Sequence, residues 1–330
     1  MKLSRLGEFG LIERVRRTTL LRPGVRLGIG DDAAWVQTSS GSCLITTDLL
    51  IEGVHFDLKW TSLYALGHKA LAVNMSDIAA MGGRPFYLLL SLGIPLTLES
   101  GDVDEFYRGL RRLAAKSGVA LVGGDMSIAK SLLISACLIG QARHRPITRA
   151  GARVGDDIYV TGTLGDSALA LKLLKTRSTK LRLPAAKLLL SRHHFPTARL
   201  QAGFMLARDK LARAMIDVSD GLLQDLGHIC KASHTGAIIM EEMLPLSRAY
   251  QSLVGRDGTR HALTGGEDYE LLFCARRKDR SRVEKLQESV HVPITRIGTC
   301  MPRRDGIRVI NRKGQHCSYS VAGHDHFRRL

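Results

Sequence analysis

A chain of 330 residues exceeds what one hydrophobic core usually supports, and its 45% hydrophobic and 24% charged residues exclude a disordered or low-complexity protein, so two packed halves are expected. The 48 Lys and Arg against 31 Asp and Glu give a net charge of +17, which raises nucleic acid as a partner. The basic residues are scattered (Arg14 to Arg17, Arg108 to Arg112, Arg276 to Arg282, Arg328 and Arg329) without interleaved aromatic platforms, which points to a solvated basic surface and no nucleic acid.

The opening MKLSRLGEFGLIERVRR reads as a short amphipathic helix and not as a secretory leader. Apolar, branched runs then predict strands at Cys43 to Thr47, Tyr87 to Ile94 and Leu132 to Ile139. Helical patterns fall between them at Leu63 to Met81 and Val103 to Lys116, the second opened by Asp102 as N-cap. The turn-rich segment His144 to Gly155, with Pro146, Gly151 and Gly155, is the expected boundary between domains 1–147 and 148–330.

The second half repeats the style. Strands are expected near Asp157 to Thr161, Ala214 to Val218, Ala237 to Met240, Tyr269 to Cys274 and Ile307 to Ile310. Helices are expected at Asp166 to Leu174, Ala198 to Arg208, Gly221 to Ala232 and Arg280 to Glu288. The fold class is therefore α/β in two halves. No run is apolar for long enough to span a bilayer, so no membrane partner is expected. Six cysteines, far apart and without a C-x-x-C pair, read as reduced core residues of a cytoplasmic protein.

The chemistry is carried by aspartates at the ends of apolar runs: Asp31 and Asp32 in GIGDDAA, Asp48 in ITTDLL, Asp77 in VNMSDIAAMGG, Asp125 in VGGDMS, and Asp217 with Asp220 in IDVSDGL. Any one of them could be a cap or turn residue; their number and shared context make the case. Strand-end carboxylates gather where α/β sheets bind ligands, and seven in one cleft would repel one another unless cations lay between them. An oxygen-only ligand set suits Mg²⁺ with substrate phosphates. His193 with His194, and His324 with His326, lack the partner spacing of a zinc site. Glycine pairs (Gly28 and Gly30, Gly123 and Gly124, Gly265 and Gly266) allow backbone N–H groups to approach an anion. No G-x-x-x-x-G-K-[ST] and no H-R-D or D-F-G set is present, so neither common ATP scaffold applies.

GIGDDAA, TTDLLIEGVHF, HKALAVNMSDIAAMGGRP, GGD, TRAGARVGD, LGD, IDVSDGLLQDL and TGGEDYELLF follow in order the motifs of the thiamine-monophosphate kinases, and the chain resembles that family from residue 7 to residue 323. The wider superfamily includes aminoimidazole-ribonucleotide synthetase and selenophosphate synthetase, which are the alternative readings. VHF and GGEDYEL favour the thiamine enzyme, and no cysteine precedes Cys43 to serve selenium chemistry. A basic nucleic-acid-binding protein is the non-enzyme alternative, and it leaves the aspartates unexplained.

The resemblance implies ATP-dependent phosphorylation of thiamine monophosphate to thiamine diphosphate by a homodimer. In it the N-terminal halves pair their sheets into a barrel, and each C-terminal half is a mixed sheet with helices. It also implies roles for matching positions. Asp31, Thr46, Thr47, Asp48, Asp77, Asp125, Asp217 and Asp220 would bind Mg²⁺, while Gly124, Asp125, Arg149 and Ser219 would contact ATP. His55 and Glu267 would lie by the substrate, with Phe327 as its ring partner because His324 stands where the family often has an aromatic residue. Without the resemblance, His55 reads as a surface histidine, Glu267 as a strand-entry turn residue, and Lys69 as a solvated or ion-paired helix lysine.

Overall fold

The computed structural model of the protein describes residues 3–19, 22–39 and 41–319. In chain order the first half runs α1 (Leu3–Thr18), β1 (Val25–Leu27), β2 (Ala34–Thr38), β3 (Gly41–Ile51), α2 (Leu63–Ala80), β4 (Arg84–Ile94), α3 (Ser100–Ser117), β5 (Ala120–Ile128) and β6 (Leu133–Ala142). Its strands form one sheet in the order β1-β2-β3-β6-β4-β5, antiparallel except for the β4 and β5 pair. The second half runs β7 (Asp157–Thr161), α4 (Asp166–Lys175), α5 (Pro184–His194), α6 (Leu200–Arg208), β8 (Ala212–Asp217), α7 (Leu222–Ser233), β9 (Thr235–Met240), α8 (Arg248–Leu253), α9 (Arg260–Thr264), β10 (Leu271–Ala275), α10 (Arg280–Val290), β11 (Ile294–Pro302), β12 (Ile307–Ile310) and β13 (His316–Cys317). These strands form a second mixed sheet, β13-β12-β9-β11-β7-β10-β8, in which only β12 and β9 run parallel.

Alternation explains the first sheet. Leu88, Leu90 and Leu92 of β4 and Ile134, Ala136 and Leu138 of β6 point to one buried face, and the residues between them point to the other. Helix α2 covers the buried face. It starts at Ser62, whose hydroxyl accepts the Ala65 N–H, and it is buried on every side because α3, α6 and β8 pack around it as well. The helix therefore lies between the two halves and carries Lys69, Ser76 and Asp77 into their junction.

Helices α2 and α3 cross where two glycines face each other's backbone. A Cβ on Gly67 would fall 1.9 Å from the Phe106 carbonyl oxygen, and one on Gly109 would fall 1.9 Å from that of Tyr64. Gly67→Ala is accordingly expected to destabilise the protein by about 1–3 kcal/mol or more through overpacking, read as a lower denaturant midpoint.

Some details differ from the sequence reading. Asp102 is not the N-cap of α3; Glu99 is, and Asp102 at the third helical position closes the capping box by accepting the Glu99 N–H at 2.9 Å. Asp48 lies inside β3 and not at its end, because the strand continues to Ile51. Of the six free cysteines, Cys230, Cys274 and Cys300 are core residues as expected, whereas Cys43, Cys137 and Cys317 are only partly buried.

Candidate active site

Buried Asp32 and Asp217 meet half-buried Asp31, Asp48 and Asp77 where α2, β3, β8 and the GIGDD loop converge. Thr46 and Asp48 lie on the helix-facing side of β3, and Thr46 Oγ1 donates to Asp77 Oδ2 at 2.5 Å. Ser76, one residue earlier on α2, donates through Oγ to Asp217 Oδ2 at the end of β8, 2.6 Å away. Carboxylate oxygens of Asp32, Asp77 and Asp217 all lie within 4.8 Å of one another. One cation faces them: Arg149 Nη2 donates to Asp32 Oδ1 at 2.7 Å, while the Arg149 backbone N–H donates to Asp31 Oδ2 at 3.1 Å.

Crowding in a dry site disfavours the charged forms. Burial, reinforced by Asp32, pushes Asp217 up to about 8 and Asp31 to about 7. Burial alone pushes Asp48 to about 6, and burial with Asp48, Asp217 and Asp32 puts Asp77 well above the carboxylate range. Burial works against the Arg149 charge, but Asp32 holds the guanidinium ionised. Asp32 Oδ2 and Arg149 Nε are both buried without a hydrogen-bond partner among the described residues. The cleft is thus an all-oxygen donor set that a single arginine faces among the described residues.

Beside it lies a second nest. Asp225 Oδ2 accepts the N–H groups of Ser219, Asp220 and Gly221, and so caps the turn that opens α7. Asp220 accepts from Gln224 Nε2 at 2.8 Å, and ligand atoms of Asp220, Asp225 and His228 lie within 4.8 Å of one another. The 265–270 loop zips onto this turn: Glu267 N–H donates to Ser219 O, and Tyr269 N–H to Val218 O. Gly266 is a glycine of necessity, since a Cβ would fall 2.2 Å from Ser219 O. Glu267 and Tyr269 both adopt positive φ, at 67° and 52°, a conformation that persists only where surrounding bonds over-determine it. His55 accepts the Ile51 N–H at Nδ1, which leaves the proton of its neutral form on Nε2.

The structure therefore brings together Asp31, Thr46, Asp48, Asp77, Asp217, Arg149, Ser219 and Asp220. It does not bring Thr47 or Asp125 to them within one chain. Asp48, Ala136, Leu90 and Gly124 form one row across the sheet, so Thr47 and Asp125, each one residue out of that row, point to the opposite, open face. Asp125 is also three strands from β3, about 14 Å. Gly124 is needed for packing, because its Cβ would fall 1.8 Å from Leu90 O. Phe327 and His324 lie outside the described residues.

Sequence reasoning counted Asp32 among the clustered aspartates without giving it a ligand role, set His193 aside as a zinc ligand, and had no role for Ser76 or Tyr269. The Asp doublet contained the signal for Asp32, and the order S-D at 76 and 77 held that for Ser76. Tyr269 is pushed up by burial and then by Glu267, Asp48, Asp217 and Asp77. Lys69 is ion-paired but not solvated.

Residues 30–142 match the AIR synthase related protein, N-terminal domain, and residues 153–311 match the corresponding C-terminal domain. The chain is 42% identical to the thiamine-monophosphate kinase of Aquifex aeolicus (strain VF5) over 83% of its own length and 87% of that protein. It is 40% identical to that of Escherichia coli (strain K12), covering 97% and 98% of the two chains. Among solved structures, AaThiL complexed with AMPPCP and TMP superposes with a TM-score of 0.86 at 37% identity over 99% of both chains.

Proposed function

The chain belongs to the AIR synthase related proteins and, within them, to the thiamine-monophosphate kinases, and we propose that the carboxylate cluster of α2, β3 and β8 is where it does its chemistry. Its reaction takes ATP and thiamine monophosphate to ADP and thiamine diphosphate. The observation that carries the site assignment is the convergence of Asp32, Asp77 and Asp217, with burial and then the neighbouring carboxylates pushing Asp77 and Asp217 above the carboxylate range. Residues 1–147 supply the cluster's larger part and a dimerisation face, and residues 148–330 complete the nucleotide and substrate site.

Hard oxygen donors, and an Asp32 oxygen buried without a partner, fit Mg²⁺. Asp31, Asp32, Thr46, Asp48, Asp77, Asp217 and Asp220 would hold it. When bound, Mg²⁺ neutralises the phosphates and favours in-line geometry between donor and acceptor. Arg149, with Nε unpartnered among the described residues, donates to ATP phosphate oxygens, Ser219 lines the nucleotide, and Gly124, beside Asp125 on β5, would do so in the site shared with the partner. An acceptor phosphate oxygen, largely ionised given a second pKa of about 6, forms the new bond to the γ-phosphorus while the bond to the β-bridging oxygen breaks and ADP leaves with that electron pair. No side chain need remove a proton. His55 and Glu267 meet the thiamine end of the acceptor.

The open face completes this reading. All nine residues of β5 are exposed at the sheet edge, among them Leu121, Val122, Met126 and Ile128, and Phe86, Tyr87 and Leu89 of β4 lie beside them. An unpaired apolar edge of this size favours a second copy of the chain, and in the homodimer Thr47 and Asp125 serve a site shared with the partner. Free thiols, and no helix among the described residues long and apolar enough to cross a membrane, favour the cytoplasm.

Purified protein given ATP, Mg²⁺ and a panel of phosphorylated metabolites, with products resolved by mass, should yield thiamine diphosphate and ADP. Free thiamine lacks the nucleophilic phosphate and should stay unchanged. Turnover of an aminoimidazole precursor or of selenide, with none of thiamine monophosphate, would overturn the assignment.

A further inference from the structure

The Glu267 carboxylate is gripped at one oxygen and closely approached at the other. Lys69 Nζ, on α2, lies 2.6 Å from Oε1, and His193 Nδ1, at the end of α5, lies 3.3 Å from Oε2 and 2.9 Å from Ser167 Oγ. Lys69 and His193 are almost fully enclosed, at 3% and 4% side-chain exposure, while Glu267 keeps 25%. An enclosed ammonium needs a paired anion, and Glu267 supplies it across the junction of the two halves. His193 adds no charge, because burial and then Lys69 push it down to about 3. A carboxylate oxygen only accepts, so the neutral tautomer that suits this place carries its proton on Nδ1. Burial acts to raise Glu267, but its neighbours together, Lys69 foremost, hold it below the ordinary carboxylate range.

The rest of the loop is fastened to match. Asp268 accepts the Gly165 N–H at 2.7 Å, and Glu270 is clasped by Arg199 and Thr161, so the left-handed backbone at Glu267 has nowhere to relax. Lys69 precedes Asp77 by eight residues on one helix, which places the grip about 12 Å from the carboxylate cluster. That is the reach of an acceptor with a phosphate at one end and a nitrogenous ring system at the other.

We propose that Lys69 and His193 are positioning residues for the phosphoryl acceptor: they fix the plane of the Glu267 carboxylate and so set affinity for thiamine monophosphate but not for ATP. The inference rests on Glu267 as an acceptor contact. Lys69 fixes one oxygen and His193 the other, and the exposed lone pairs are left aimed at the ring end of the substrate.

Steady-state kinetics with each substrate varied in turn test this. Glu267→Gln, Lys69→Met and His193→Ala should each raise KM for thiamine monophosphate about tenfold while KM for ATP stays within about twofold. His193→Asn, which returns an N–H near the Nδ1 position, should recover most of the loss. Because Lys69 acts through Glu267, the double variant Lys69→Met with Glu267→Gln should be no worse than Glu267→Gln alone; it also removes both charges together, should Lys69→Met by itself fail to fold. Equal rises in both KM values would mean a structural role only and overturn the proposal. So would an unchanged acceptor KM in His193→Ala beside a raised one in Glu267→Gln, which leaves the reading of Glu267 intact. An unchanged acceptor KM in Glu267→Gln removes that reading and the proposal with it.

Discussion

Asp77→Asn is expected to lose on the order of 10³-fold in turnover and yet, without divalent metal, to melt a few degrees above the wild type. The gain follows from electrostatics. Asp77 is buried against Asp48, Asp217 and Asp32, so its folded-state pKa stands well above its unfolded value. The folded protein therefore binds more protons than the unfolded one over the window from about pH 4 to the raised values, about 6 for Asp48 and about 8 for Asp217. Stability of the metal-free wild type is full below that window and falls as pH rises through it. An amide cannot ionise, so the variant escapes part of that loss. Melting curves in chelator should show the wild type gaining stability from pH 8 to pH 6, with a shallower slope for Asp77→Asn. Mg²⁺ with a nonhydrolysable ATP analogue should raise the wild-type melting temperature and move the variant much less. Near-normal turnover in Asp77→Asn would mean that the cluster is not the metal site.

Mixing two inactive proteins should restore activity. If Asp125 serves the site of the partner subunit, Asp125→Asn and Asp77→Asn each inactivate a homodimer, but a mixed dimer contains one site with both wild-type aspartates. After random exchange half of the dimers are mixed, so about a quarter of wild-type activity should return. Light scattering should first give about twice the 36.2 kDa chain mass. Failure of complementation in dimers shown to have exchanged would place Asp125 outside the catalytic site.

Both expectations turn on what the sequence showed and what it hid. Strand-end aspartates and the order of their motifs were legible because carboxylate chemistry is written residue by residue. The side of the sheet each one faces was not, since parity in β3 and β5 depends on register and on which face α2 covers. Thr46 and Thr47 look alike in sequence, yet only Thr46 reaches Asp77. β5 escaped notice because its glycine pair was read for anion approach and not as strand, although Gly124 is there to fit beside Leu90. Helix α5, opened by Pro184, carries His193 to Glu267 over a sequence distance that no local pattern spans.

Helix α2 also limits how this chain can vary in length. Lys69, and about two turns later the adjacent Ser76 and Asp77, hold Glu267, Asp217 and Thr46 from a single rod. One residue inserted between Lys69 and Ser76 would rotate everything beyond it by about 100° and advance it by about 1.5 Å, breaking the last two contacts together. Substitutions along α2 can be judged one side chain at a time. Insertions and deletions cannot, and between Ser62 and Met81 the spacing of residues is as much a part of the active site as their identity.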